Sequence, residues 1–152
     1  MTSTTDLAAF AAVFAALFAA RSVGDHWVQT HHQACAKGAP TAAGRLACAG
    51  HVLTLTVTKA AFLLAVQLVT GLQLALVAVY VGLAVDAASH YWADRRVTLA
   101  ALAERLGKGG FYRLGTPRPG TDDAPHLGTG AYALDQSWHI GWLFVTALII
   151  TA

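Results

Sequence analysis

Acidic and imidazole side chains recur at helical spacing within otherwise apolar stretches of the chain. Asp86, His90 and Asp94 follow one another at intervals of four residues, and Asp135 and His139 repeat that interval. Residues so spaced project from one face of a helix. Imidazole nitrogens and carboxylate oxygens bind Zn²⁺, Mn²⁺ and Fe²⁺. The pattern therefore predicts either a divalent metal site or a metal-free polar network that is structural or relays protons.

Two earlier apolar stretches carry polar residues that could complete such a site. The first contains Arg21, Asp25, His26, Gln29 and His32, and the second contains His51, Thr54, Thr58 and Lys59. Ionisable side chains cost about 2.5–3.5 kcal/mol each at the centre of a membrane helix, so they are expected to face the bundle interior. Counted from the helix ends, the acids and histidines lie about 5–9 residues deep, or roughly 7–14 Å at helical rise. We therefore expect one shared polar layer.

The histidines of this layer are the predicted metal ligands. We assign His51, His90 and His139 to the metal, with Asp86 or Asp135 as a further ligand. Imidazole and carboxylate together suit Zn²⁺, Mn²⁺ or Fe²⁺. The expected cofactor is therefore Zn²⁺, Mn²⁺ or Fe²⁺.

The remaining charged residues of the layer suggest a reaction. Asp25 or Asp94 is the expected general base for a water molecule whose pKa the metal lowers. Arg21 or Lys59 would stabilise developing negative charge, or would simply neutralise nearby carboxylates. The leading hypothesis is a metal-dependent hydrolase that acts on a lipid-linked or membrane-proximal substrate.

Two other classes of function fit the same residues. The chain could bind or move a metal ion or protons without catalysis, and transport through only four helices would need a homo-oligomer. It could also be a structural membrane subunit in which the polar layer locks the helices together. No P-loop, dinucleotide fingerprint, nucleophile elbow or His-Glu-x-x-His motif distinguishes these alternatives.

Four helices long enough to span a membrane must position these residues. The chain has 152 residues, of which 56% are hydrophobic and only 12% are charged, whereas soluble domains carry about 25% charged residues. The predicted helices cover about 6–33, 45–70, 72–96 and 131–152, because about 20 residues cross the hydrocarbon. Leu99, Leu102 and Leu106 indicate a short amphipathic helix within a Gly/Pro-rich loop at 97–130. The predicted fold is a single all-α membrane bundle whose main partner is the lipid bilayer.

Basic residues predict the orientation of this bundle. Those in the connections all fall between helices one and two or between helices three and four: Lys37, Arg45, Arg95, Arg96, Arg105, Lys108, Arg113 and Arg118. The positive-inside rule makes these connections cytoplasmic and both termini external in a bacterial-type inner membrane. The first helix is expected to be retained, because no Lys or Arg precedes it as in a signal peptide. The net charge of +2 does not favour nucleic acid as a partner.

The polar motifs resemble those of a bacterial family of small polytopic membrane proteins of unknown function. They are Gly24-Asp25-x3-Gln29 followed by Lys37, His51, Ser89-His90-x3-Asp94 and Asp135-Gln136-x2-His139. The resemblance spans nearly the whole chain and implies that these positions belong to one site. In that family a histidine often precedes the first aspartate by four residues, and here Arg21 occupies the position. This departure disfavours a dinuclear metal site that uses such a histidine.

Overall fold

The computed structural model describes residues 4–117 and 128–152, and this part of the chain is helical without strands. The predicted all-α architecture is therefore confirmed. In chain order the elements are α1 Thr4–Val23, a π-helical turn Gly24–Val28, α2 His31–Ala36, α3 Ala42–Thr70, α4 Leu76–Asp94, α5 Val97–Arg105, α6 Gly109–Tyr112 and α7 Gly130–Thr151.

Four helical stretches are long and apolar enough to cross a membrane. They are α1 with its π-helical turn, α3, α4 and α7. Their outer surfaces are apolar, as on α3, where an exposed stripe contains Leu46, Leu53, Val57, Leu64 and Leu68. Charged residues such as Arg21 and Lys59 are buried instead. Because apolar side chains face outward and charges such as these face inward, the surface of the bundle is suited to lipid.

The four long helices form a closed ring. α1 packs against α3 and α7, and α4 packs against the same two helices from the opposite side. One half of the interior is apolar, with Val13, Leu17, Leu63 and Leu143 buried at its centre. Phe10 and Phe14 of α1 meet the ring of Phe144 on α7 edge to face, at 5.4 and 6.4 Å between centroids. The buried histidines and charged residues lie outside this apolar cluster.

The first predicted helix is interrupted. Instead of a continuous helix over 6–33, the chain makes a π-helical turn closed by the Gln29 amide donating to the Gly24 carbonyl at 2.9 Å. A new helix then begins, because the Thr30 hydroxyl accepts from the Gln33 amide and the Gln33 side chain accepts from the Thr30 amide. π-Helical turns often occur at functional sites. Here the turn carries Asp25 into the bundle interior.

Other boundaries differ from the predicted ones by a few residues. α3 begins at Ala42 because the Thr41 hydroxyl accepts from the Gly44 amide at 3.1 Å. α3 ends at Gly71, whose φ of 73° suits glycine, and α4 begins only at Leu76. The predicted loop at 97–130 contains α5 and α6, and its residues 118–127, including Arg118, lie outside the described part.

The two basic connections lie at the same end of the bundle. The Arg95 guanidinium, just after α4, donates to the carbonyl oxygens of Lys37 and Ala39, which connect α2 and α3. Arg96 donates to the Ala34 carbonyl oxygen at 3.3 Å. These hydrogen bonds join the two connections at the polar end of the bundle and fix the position of Lys37.

Gly130 allows α6 and α7 to approach closely, and this contact gives a testable prediction. A Cβ atom at Gly130 would overlap the Phe111 carbonyl oxygen, whereas a Cβ at Gly141 on the same helix would meet nothing. We expect Gly130→Ala to lower the free energy of unfolding by about 1–3 kcal/mol through overpacking. Gly141→Ala should raise it by roughly 0.5–1 kcal/mol, as alanine usually does within a helix. Unfolding in detergent followed by circular dichroism measures both, and equal stability of the two variants would contradict the close approach.

Candidate metal centre

The polar half of the bundle contains a cluster of two aspartates and three histidines. Each of the four long helical stretches contributes: Asp25 comes from the π-helical turn, His51 from α3, His90 and Asp94 from α4, and His139 from α7. Asp94 and the three histidines are buried, and the Asp25 side chain is 15% exposed. The expected shared layer is therefore present, and its ring nitrogens and carboxylate oxygens face one another.

Four atoms of this cluster converge at ligand spacing. His51 Nε2 lies 3.2 Å from His90 Nε2, 3.3 Å from Asp25 Oδ1 and 3.4 Å from Asp94 Oδ2. His90 Nε2 lies 3.8 Å from Asp25 Oδ1 and 3.3 Å from Asp94 Oδ2. Ligand atoms held tetrahedrally at 2.0–2.1 Å from a zinc ion are about 3.3–3.4 Å apart. Four of the six edges of such a tetrahedron are thus close to the required length, and a fifth, from His90 to Asp25, is longer at 3.8 Å.

The same convergence is unfavourable without a shared cation or proton. A neutral imidazole has one N–H, so His51 and His90 can supply few hydrogens to the facing oxygens. Asp25 Oδ1 is buried and makes no hydrogen bond, and neither does the His51 Nδ1 atom. A buried carboxylate oxygen without a partner carries a substantial desolvation cost. The geometry is therefore suited to a divalent ion, and the groups Asp25–His51–His90 and His90–Asp94–His139 could each hold one.

Outer partners orient the carboxylates toward the cluster. Arg21 Nε lies 3.2 Å from Asp25 Oδ2, which leaves Oδ1 directed at the imidazoles. The Arg21 guanidinium also donates to Gln136 Oε1 at 2.9 Å, and the Gln136 amide donates to Asp135 Oδ2 at 3.2 Å. Such second-layer contacts fix ligand orientation in metal sites. Arg21 is thus placed to position ligands, and it also reduces the negative charge of the cluster.

Lys37 is a cation within the cluster that the sequence analysis did not assign to the site. Its Nζ lies 2.9 Å from Asp94 Oδ2. The only signal in the sequence was its place in the family-like motif after Gln29, since spacing alone puts it in a connection. Its position depends on the chain reversal between α2 and α3, which the Arg95 hydrogen bonds hold.

His139 and Asp135 form the side of the cluster nearest the solvent. His139 Nε2 lies 3.4 Å from Asp135 Oδ1 and 3.7 Å from Asp94 Oδ1. The His139 ring stacks on His90 at 3.9 Å between centroids. Directly before His139 in the chain, the Trp138 indole donates to the Ser89 hydroxyl at 3.0 Å and ties α7 to α4. The Asp135 side chain is 30% exposed, so it connects the buried histidines to the space outside.

A cavity of about 600 Å³ reaches the cluster from the polar end of the bundle. Asp25, Asp94, Asp135 and His139 line its inner wall. The outer wall includes two cations and two phenols: Lys37, Arg96, Tyr112 and Tyr132. Burial raises the pKa of Tyr112, so its hydroxyl stays neutral and can donate a hydrogen bond. The cavity therefore offers both a metal-ligating end and a positively charged wall.

Two predicted site residues lie apart from this cluster. Asp86 was expected as a ligand, but its Oδ2 accepts from Lys59 Nζ at 2.5 Å in a fully buried pair. Neither residue lines the cavity or belongs to a group of metal-ligating side chains within the described residues. The pair instead links α3 to α4 between the cluster and the apolar half. His26, His31 and His32 are exposed.

The Lys59–Asp86 pair should behave as a structural interaction. Removing one partner of a buried ion pair costs about 3–5 kcal/mol, whereas replacing both is often neutral. We expect Lys59→Met to destabilise the protein by that amount and Lys59→Met/Asp86→Leu to restore most of the loss. Arg113→Ala, which breaks an exposed pair with Glu104, should cost less than about 1 kcal/mol. Detergent unfolding measures these changes, and a Lys59→Met variant of unchanged stability would contradict the assignment.

Comparisons with known proteins provide no further assignment. No family model, no curated protein and no solved structure matches this chain. What can be stated of the molecule is that its helices are suited to a membrane and that its buried Asp/His cluster could hold a metal ion.

Proposed function

We propose that this protein is a membrane-embedded, metal-dependent hydrolase with its metal centre at Asp25, His51, His90 and Asp94. The observation that carries the proposal is the convergence of four ligand atoms, from α3, α4 and the π-helical turn, at separations of 3.2–3.8 Å. Two imidazoles and two carboxylates suit Zn²⁺, and also Mn²⁺ or Fe²⁺. Compared with the sequence-based hypothesis, Asp25 and Asp94 become ligands and Asp86 leaves the site.

The charge of the cluster supports a bound cation. The carboxylates of Asp25, Asp94 and Asp135 have two cationic side chains, Arg21 and Lys37, in direct contact with them. When the imidazoles are neutral, as metal binding requires, these contacts leave one negative charge in a largely buried region, and such a charge is costly unless a further cation neutralises it. A divalent ion would neutralise it and would also accept the unpartnered Asp25 Oδ1.

The cavity supports a hydrolytic reaction on an anionic substrate. A divalent metal lowers the pKa of a coordinated water to about 7 and so supplies a nucleophile near neutral pH. Lys37 and Arg96 on the cavity wall can bind a phosphate or carboxylate group, and Tyr112 can donate a hydrogen bond to it. Because the cavity opens at one end of the transmembrane bundle, a substrate anchored in the lipid would reach it. We therefore propose a lipid-linked or membrane-proximal ester as substrate.

The alternative is a non-enzymatic protein that binds protons or a metal. Lys37 supports its metal-free form, because its ammonium already lies 2.9 Å from Asp94 Oδ2. In that case Asp25, His51, His90 and Asp94 would share protons in a hydrogen-bonded network. The presence or absence of bound metal distinguishes the hydrolase from this network.

We also propose the membrane orientation and the family relationship that the sequence predicts. The basic connections around Lys37 and Arg95 would face the cytoplasm, with both termini outside a bacterial-type inner membrane. The cavity would then open to the cytoplasm. The chain would belong with the small polytopic membrane proteins that its motifs resemble. A homo-oligomer is not needed for a site built entirely from one chain.

Metal analysis tests the centre itself. Untagged protein purified in detergent without chelators is expected to retain divalent metal, because four protein ligands enclose the ion. Asp25→Asn and His51→Ala should each weaken zinc binding by more than about 100-fold, since even changes in the outer layer cost 10–100-fold. His32→Ala, an exposed histidine, is the matched control and should bind as the unaltered chain does. Elemental analysis and zinc titration measure this, and a metal-free protein that takes up no zinc would overturn the proposal.

Hydrolysis tests the reaction. Protein in phosphatidylcholine vesicles is expected to hydrolyse a member of a panel of lipid phosphate esters and lipid carboxylic esters, and a chelator should abolish the activity. Lys37→Met should lower kcat/KM by about 10–100-fold, the value of one charge-assisted hydrogen bond. Lys108→Met serves as the control, because Lys108 is exposed and does not line the polar cavity. Bound metal without hydrolysis of any panel member would favour the non-enzymatic alternative.

A further inference from the structure

The proposed centre leaves one set of metal-ligating atoms unused. Asp94 Oδ2 faces His51 and His90, but Asp94 Oδ1 faces His139 Nε2 at 3.7 Å. His139 Nε2 in turn lies 3.4 Å from Asp135 Oδ1. These three atoms, an imidazole nitrogen between two carboxylate oxygens, lie on the cavity side of the first four.

The surroundings hold these atoms in the orientation of ligands. The Gln136 amide donates to Asp135 Oδ2, which leaves Asp135 Oδ1 directed at His139. The His139 ring is buried and is fixed by stacking on His90 at an angle of 26° between the ring planes. Gln136 is in turn held by Arg21, which also positions Asp25. The same pair of outer residues thus orients a carboxylate on each side of Asp94.

We infer that the chain holds a second divalent cation, bound by Asp94 Oδ1, Asp135 Oδ1 and His139 Nε2, so that Asp94 bridges two metal ions. This inference rests on the proposed function, because the first ion and the bridging carboxylate belong to that centre. Two-metal hydrolytic sites hold their ions about 3.5–4 Å apart. A carboxylate that ligates through both oxygens can span this separation.

The second ion would add an open coordination position to the centre. The first ion, with four protein ligands, can take up water only by expanding its coordination to five, whereas a metal with three protein ligands keeps a position open for water or substrate. The second site has three protein ligands, and Asp94, Asp135 and His139 all line the cavity. Its remaining positions therefore face the space where Lys37 and Arg96 would bind an anionic substrate group. None of the three ligands is residue 21. The arginine that stands there, where the resembled family often has a histidine, is therefore compatible with two ions.

Mn²⁺ titration of the untagged chain in detergent tests this inference without reference to activity. We expect about two Mn²⁺ ions per chain and an exchange-coupled electron paramagnetic resonance signal, because a shared carboxylate couples paired ions. Asp135→Asn and His139→Ala should each reduce the content to about one ion and give the signal of isolated Mn²⁺. Glu104→Gln, an exposed carboxylate outside the site, is the matched control. Circular dichroism confirms that each variant is folded.

The outcomes separate this inference from the proposed function. If the chain binds one ion, lost in His51→Ala but kept in Asp135→Asn, the second site is overturned and the first centre stands. If Asp135→Asn and His139→Ala retain both ions, the ligand assignment is overturned. If the chain binds a single ion and loses it in His51→Ala, Asp135→Asn and His139→Ala alike, a single mixed site replaces the pair. If no ion binds at all, both proposals fail.

Discussion

The burial of carboxylates in an apolar bundle is the constraint on which this structure depends. Asp25, Asp86 and Asp94 lie inside helices whose outer faces suit lipid, and none can remain charged there without a partner. The π-helical turn brings Asp25 inward, and the Arg95 hydrogen bonds bring Lys37 to Asp94. Much of the irregular structure at the polar end thus serves to satisfy, or partly satisfy, these acids.

The acids are satisfied in two different ways, and the difference indicates where function lies. Asp86 Oδ2 accepts from Lys59 at 2.5 Å, and neither residue has a fully buried polar atom without a partner. Asp25 and Asp94 also have cationic partners, Arg21 and Lys37, but Asp25 Oδ1 remains without a hydrogen bond, beside imidazoles and a cavity that reaches solvent. A complete pair stabilises the bundle, whereas an incomplete cluster is suited to bind something. Within one bundle, the Lys59–Asp86 pair is therefore structural, whereas the Asp/His cluster is a candidate metal centre.

The apolar half and the polar half of the bundle interior have different roles. The apolar half, with Val13, Leu17, Leu63 and Leu143, holds the helices together by close packing without charges. The cavity reaches the cluster from the polar end of the bundle.

The sequence by itself determined the helical architecture, the lipid-facing surface and the sharing of one layer by four polar stripes. These follow from periodicity and from the cost of charges in lipid, which act locally along each helix. Only the tertiary structure decided which acid meets which base. Asp86 and His90 lie one turn apart on the same face of α4, yet Asp86 pairs with Lys59 whereas His90 belongs to the cluster. The placement of Lys37 was equally hidden, because it depends on contacts between residues distant in sequence. The break at Gln29 is local, since the Thr30–Gln33 capping box begins a new helix there, but the apolar pattern alone did not predict it. Partner choice among buried charges is set by distances of a few ångströms between helices, and spacing along one helix does not contain that information.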